Sequence, residues 1–251
     1  MEIRREKTES GSGYDRVVKF LREQLLSGDL KAGDSLLPER ELSMKLGVSR
    51  PVLREALRAL SMIGAVEIRH GIGTVVTRPD VSILGEFFTF VLAHQANVVD
   101  DVMQARIAIE RQAVRLACRR ATQSDYDRLA DCLAEIVETI RTPELGGLAD
   151  FRFHETIVNA SGSPTLINIY QSISVLMRRS HLDRREQIIQ VEGIEEFLID
   201  HHRAIFSAIV ERNEDKADEL LGRHFEIGAD FRRRATIRMV SASPTANSPF
   251  S

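Results

Sequence analysis

Apolar positions near the amino end of the chain recur at helical spacing. In "YDRVVKFLREQLLSG", Val17, Val18, Leu21 and Leu25 share one face, and Gly28 supplies a stop. "LKAGDSLL" breaks the pattern and reads as loop. Pro38 opens a second helix, "PERELSMKLG", because a first turn does not need the missing N–H, and Gly47 closes it. A third helix follows in "VSRPVLREALRALSMIG", with Ser49 as N-cap and Gly64 as stop. Its buried face is Leu53, Ala56, Leu57 and Leu60. The period then changes. "AVEIRHGIGTVVT" holds two short β-rich runs around "HGIG", the pattern of a small hairpin. Three helices followed by a two-stranded hairpin describe a winged helix-turn-helix.

From Ile83 onward strand signals almost vanish. Amphipathic helices are predicted over 83–94, 98–120, 123–141, 146–160, 164–182, 193–212 and 214–235, broken at "ATQSD", "RTPELGG", "SGSP" and "ERNED". The expected fold is mainly α, a winged helix-turn-helix followed by an all-α bundle of six or seven helices. The domain reading is a disordered, Ser/Gly-rich 1–13, a DNA-binding domain over 14–78, a linker over 79–84, a bundle over 85–236 and a disordered tail over 237–251.

Charge sharpens this division. The 251-residue chain carries a net charge of only −3, yet residues 1–78 hold 14 Lys/Arg against 11 Asp/Glu, and the remainder holds 20 against 26. A basic segment ahead of an acidic body suggests a polyanion-binding module joined to something else. Cys118 and Cys132 form neither a metal cluster nor a disulfide framework. With no signal peptide and no long apolar run, the expectation is a cytoplasmic protein without membrane contact.

The third helix carries Arg50, Arg54 and Arg58 away from its buried face. Residues at the start of a recognition helix point at base edges, where arginine can grip guanine O6 and N7 through two hydrogen bonds. Ser49 can cap the helix and offer its hydroxyl to a phosphate. At the hairpin tip, Gly71 and Gly73 permit positive φ and close backbone approach, and His70 can reach the minor groove or a phosphate. "LLPERELSMKLGVSRPVLREALRALSMIGAVEIRHGIGTVV" resembles the DNA-binding domain of GntR-family bacterial transcription regulators. The resemblance implies DNA contacts at Arg40, Ser49, Arg50, Arg54, His70 and Gly71. Leu37 and Leu53 depart from the family's usual residues, the first beside an intact Pro38 and the second within the core.

In the helical body three histidines sit on apolar faces. His202 aligns with Ile205, Phe206 and Ile209, His224 with Leu220, Leu221 and Ile227, and His154 with Ile157, Val158 and Asp150. Asp150 and His154, at i and i+4, can chelate one ion from one helix, and His202 and His224 would complete an Asp/His₃ set. Spacing alone leaves open three separate core histidines, each satisfied locally. "VMQARIAIERQAVRLA", "DFRFHETIVNASGSPTL" and "DHHRAIFSAIVERNEDKADELLGRHF" resemble the FCD effector domain of the FadR subfamily of GntR regulators. That resemblance implies one divalent metal (Zn²⁺, Ni²⁺ or Mn²⁺) on Asp150, His154, His202 and His224, with His201 out of register. It also implies that Arg106 points into an effector pocket; the alternative is a helix-surface ion pair between Arg106 and Glu110.

The expected function follows. The chain reads as a homodimeric repressor that binds an inverted-repeat operator and is released by a small organic or sugar acid. The competing class is a metal-dependent hydrolase with an appended DNA-binding domain. It lacks a motif for a general base, and a hydrolase has no use for a winged helix, so the protein is expected not to be an enzyme.

Overall fold

The computed structural model describes residues 12–92, 98–189 and 191–242. Contacts divide the chain into two units, 1–83 and 84–251. Residues 1–11 of the N-terminal segment expected to be disordered, and 243–251 of the tail, lie outside the described residues.

The first unit holds α1 (Gly13–Ser27), α2 (Glu39–Leu46), α3 (Arg50–Met62), β1 (Val66–Arg69) and β2 (Gly73–Val76). Helix α1 begins at a reciprocal cap in which Asp15 N–H donates to Ser12 Oγ and Ser12 N–H donates to Asp15 Oδ2. Ser12 and Gly13 are therefore ordered, although they fall inside the stretch expected to be disordered. Gly13 is tight because a Cβ there would stand 2.8 Å from Val52 Cγ1, so its bare backbone seats α1 against α3. Gly47 turns α2 into α3 at φ +62, a value that favours glycine. The strands pair antiparallel from Val66↔Val76 to Arg69↔Gly73. Val17, Leu21, Leu42, Leu53, Leu57, Leu60, Val66 and Val76 form the core.

The second unit is helical: α4 (Ser82–Leu92), α5 (Val98–Arg120), α6 (Gln123–Thr139), α7 (Pro143–Ala160), α8 (Pro164–Ser172), α9 (Ser174–Ile188), α10 (Ile194–Val210) and α11 (Glu214–Ala242). Helix α7 lies against α5, α6 and α9, and α11 lies against α5 and α10. Helix α7 buries Ala149, Phe151, Phe153, Ile157 and Val158, as a central helix requires, and leaves Arg152 and Asn159 exposed.

Several boundaries differ from expectation: α7 starts at Pro143 rather than 146, and α9 ends at Ile188 rather than 182. The helix expected over 164–182 is two helices, so eight appear among the described residues rather than six or seven. The Ser172 hydroxyl donates back to the Ile169 carbonyl at 2.7 Å, and Ile173 leaves helical geometry at φ −113, ψ 10. Helix α11 runs to Ala242, past position 236 where the bundle was expected to end. No helix among the described residues is long and apolar enough to cross a membrane.

Candidate DNA-reading surface and metal centre

Ser49 caps α3 by accepting from the Val52 N–H at 3.5 Å, with Pro51 in the first turn, so Arg50 stands at the helix start. Arg40 on α2, Ser49, Arg50 and Arg54 are all exposed, as are His70 and Gly71 in the hairpin turn, where Gly71 has φ +76. Arg54 is not idle. Its Nε donates to Glu39 Oε2 at 2.7 Å across α2 and α3, a partner the sequence reading missed because it lies 15 residues away.

In the second unit Asp150 and His154 on α7, His202 on α10 and His224 on α11 meet in the core. Each offers one ligand atom, and these atoms all lie within 4.8 Å of one another. The imidazole centroids are 5.5 Å (His154–His202), 5.2 Å (His154–His224) and 4.7 Å (His202–His224) apart. His154 and His202 are fully buried and His224 nearly so. His201, next along the chain, lies instead against Phe197, with ring centroids 4.3 Å apart.

Outer partners orient the ligands. His154 Nδ1 donates to Glu110 Oε2 at 2.6 Å, and His202 Nδ1 donates to the Leu198 carbonyl at 2.5 Å. Each leaves Nε2 as the inward lone pair, and both Nε2 atoms are buried without a hydrogen-bond partner. Asp150 Oδ1 and His224 Nδ1 are likewise unpartnered. Asp150 Oδ1 stands 2.7 Å from His202 Nε2 and 3.7 Å from His154 Nε2, yet neither pair has hydrogen-bond geometry. Lone pairs crowded together in this way are costly alone and suited to a shared cation. The reading of separate, locally satisfied histidines does not match these unpartnered atoms.

The electrostatics agree. Burial, reinforced by His202 and His154, holds His224 well below its usual pKa. Burial acts to raise Asp150, but His181, His154 and His202 outweigh it and keep the carboxylate ionised. Both residues thus rest in metal-ligating forms. His154 differs: burial, the largest influence, and Arg106 act downward, but Glu110 and Asp150 prevail and raise it, so an ion at its Nε2 competes with a proton there.

Sequence reasoning missed Tyr170, His181 and Arg185 around the centre, and placed Glu110 on the helix surface. Glu110 is fully buried and accepts from Arg106 Nε at 2.9 Å and Tyr170 Oη at 3.0 Å besides His154. The Arg106–Glu110 pair therefore exists, but in the core rather than on the helix surface. His181 donates from Nδ1 to Asp150 Oδ2 at 2.6 Å, and its Nε2 is unpartnered. Arg185, fully inside α9, was passed over with it. Both lie in "RRSHLDRR", a run too polar to suggest a core. Together with Asp150, His224 and Phe225, the residues Arg106, His181 and Arg185 line a small, partly open cavity of about 40 Å³.

Comparison with known proteins places this geometry. Residues 13–76 match the description "Bacterial regulatory proteins, gntR family", and residues 101–227 match the FCD domain. The chain belongs to the GntR family. It is a GntR-type transcription regulator of the FadR subfamily, with a DNA-binding winged helix followed by a helical FCD domain. It is 30% identical, across 84% of its own length and 82% of the relative, to the "Putative L-lactate dehydrogenase operon regulatory protein" of Escherichia coli K12. It is 28% identical to the regulator LutR of Bacillus subtilis across 79% of its length and 91% of LutR. It is 30% identical to the repressor NanR of Citrobacter rodentium across 84% and 81%. The solved structure of Streptococcus agalactiae GntR shares the fold, with a TM-score of 0.62 at 21% identity over 89% of this chain and 100% of that one. These relatives are transcription regulators and not enzymes, which removes the hydrolase alternative.

Proposed function

We propose that this GntR regulator is a homodimeric repressor that holds one divalent ion in its FCD domain and leaves an inverted-repeat operator when a small carboxylate binds there. The reading is carried by the convergence of Asp150, His154, His202 and His224, whose ligand atoms lie within 4.8 Å of one another. One carboxylate and three imidazoles suit Zn²⁺, Ni²⁺ or Mn²⁺. When bound, the ion supplies one or two coordination positions for a carboxylate oxygen. Arg106 Nη2, buried and unpartnered beside the centre, is placed to add a charge-assisted hydrogen bond. Repression is supported by the relatives named NanR, and a carboxylate effector by the relative named for an L-lactate dehydrogenase operon. The mechanism is coupling between two sites, in which the acid and the DNA each favour a different arrangement of the same dimer.

The test is operator release. A fragment selected from random DNA with the purified protein is titrated with a panel of small carboxylates, using metal-loaded and metal-stripped protein. Acid should free the DNA only from the loaded form; an equal response from the stripped protein contradicts the reading.

At the operator, Arg40, Ser49, Arg50, Arg54, His70 and Gly71 are assigned as contacts. Arg50→Ala and Arg54→Ala should each weaken binding by about 1–3 kcal/mol and relax base preference. Competition binding against single-base operator variants measures both effects. Full affinity in two folded variants would remove these residues from the interface.

The dimer is assigned to α4. Phe88 and Leu92 pack into the second unit's core, whereas Leu84, Phe87, Phe90 and Val91 are exposed, Phe90 at 75%. A helix apolar on both faces calls for cover on both, and a second copy covers it while supplying the second DNA-binding head. Phe87→Glu with Phe90→Glu should yield monomers by sedimentation at micromolar concentration, and a fragment starting at Ile83 should stay dimeric. A dimeric double variant would place the interface elsewhere.

A further inference from the structure

Two buried guanidinium groups, those of Arg106 and Arg185, line the cavity beside the four ligands, together with the Asp150 carboxylate. Arg106 is compensated by Glu110. Arg185 has no such direct partner. It is 4% exposed, no carboxylate among the described residues forms an ion pair with it, and the more distant Asp150 and Glu195 do not offset its burial. Its Nη2 donates to the Ile140 carbonyl at the end of α6, and its Nε has no hydrogen-bond partner. Capping one carbonyl uses one donor of the five that a guanidinium carries.

The fold makes room for this cation at a cost. Gly146 and Gly147 lie consecutively in the first half of α7, where each glycine costs roughly 1 kcal/mol relative to alanine. A Cβ on Gly146 would stand 2.9 Å from the Thr139 carbonyl oxygen and 3.1 and 3.2 Å from Arg185 Nη2 and Nε. A Cβ on Gly147 would stand 3.3 Å from the Leu182 Cα, one turn before Arg185 on α9. The glycine pair therefore lets α9 approach α7 and seats the guanidinium in the cavity wall. A buried cation with an unsatisfied donor beside a small, partly open cavity calls for an anion.

We infer that Arg185 is a second anion subsite, and that the effector is a small dicarboxylate with one carboxylate at the Asp/His₃ centre and the other at Arg185. This rests on the proposal that the cavity is the effector site, and it adds a requirement which that proposal lacks. A monocarboxylate engages the metal centre and leaves Arg185 uncompensated.

Calorimetric titration of the metal-loaded, full-length protein with malonate, succinate and glutarate, against propionate, butyrate and valerate, tests it. At least one dicarboxylate should bind roughly tenfold or more tightly than the monocarboxylate of equal carbon number. Arg185→Gln should lower dicarboxylate affinity far more than monocarboxylate affinity and so erase that preference, and Arg185→Lys should keep part of it. Because Arg185→Gln also removes the cap on α6, the wild-type comparison stands by itself: no dicarboxylate preference there overturns the subsite. An unchanged preference in folded Arg185→Gln overturns it too. Metal-dependent monocarboxylate binding with no dicarboxylate advantage sinks the subsite alone, whereas no binding of either class sinks the effector reading with it.

Discussion

Glu110→Ala is expected to destabilise the FCD domain by about 3–5 kcal/mol, the loss typical of stranding one member of a buried charged pair. Glu110 is 0% exposed and receives three hydrogen bonds, from Arg106, His154 and Tyr170. Burial works to raise its pKa, but Arg106 and His154 hold it at about 2, so the carboxylate is fully ionised near neutrality. Its removal leaves the Arg106 guanidinium without a counter-charge, although the face of Phe225, 4.9 Å away, retains a weaker attraction. His154 and Tyr170 lose their partner as well. Urea unfolding of wild type and variant, both in excess chelator, isolates this network from any metal contribution. Glu110→Gln, which keeps the shape and can still accept hydrogen bonds, should fall between the two. A loss below about 1 kcal/mol in Glu110→Ala would mean that the network adds little to the fold.

The second large effect is metal removal. A ligand that binds only the native state stabilises it by about 4 kcal/mol when present at a thousandfold excess over its dissociation constant. For a domain of this size that corresponds to a rise of roughly 8–16 °C in Tm. Thermal unfolding of wild type with Zn²⁺, Ni²⁺ or Mn²⁺, and then with chelator, should show a shift of this order. His202→Ala with His224→Ala should unfold at the same temperature under both conditions. DNA binding by that variant should be largely intact, because the winged helix has its own core around Leu53 and Leu57. A variant that still gains stability from metal would show that the ion binds elsewhere.

Much of the architecture was legible in the sequence because local signals and tertiary demands agree. Ser49 and Gly47 each act at the helix ends where their chemistry placed them, and the change of period after Gly64 marks the hairpin. The join between α8 and α9 was not legible. Apolar periodicity continues through Ile173, and only the back-bonding of Ser172 and the altered backbone at Ile173 end the helix.

The candidate site was legible in part for a similar reason. His154, His202 and His224 stand out as polar residues on apolar faces, and the three helices bring them together. His181 and Arg185 sit on α9 among arginines and acids, so no apolar stripe marks their inward side. Their burial comes from packing against α7, where Gly146 and Gly147 allow close approach, and no local pattern on α9 encodes it. Arg106 and Glu110 were visible as an i,i+4 pair, but whether such a pair faces water or core depends on its neighbours, here Tyr170, His154 and Phe225.

The claim on which the rest depends is that Asp150, His154, His202 and His224 jointly hold one divalent ion. Elemental analysis of the purified full-length protein, dialysed against Zn²⁺, Ni²⁺ or Mn²⁺ and then against metal-free buffer, tests it most directly. The wild type should retain about one ion per chain, and His202→Ala with His224→Ala should retain almost none. Equal metal content in the two proteins, or a wild type that retains none of the three metals, would contradict the account and return these residues to the status of core histidines.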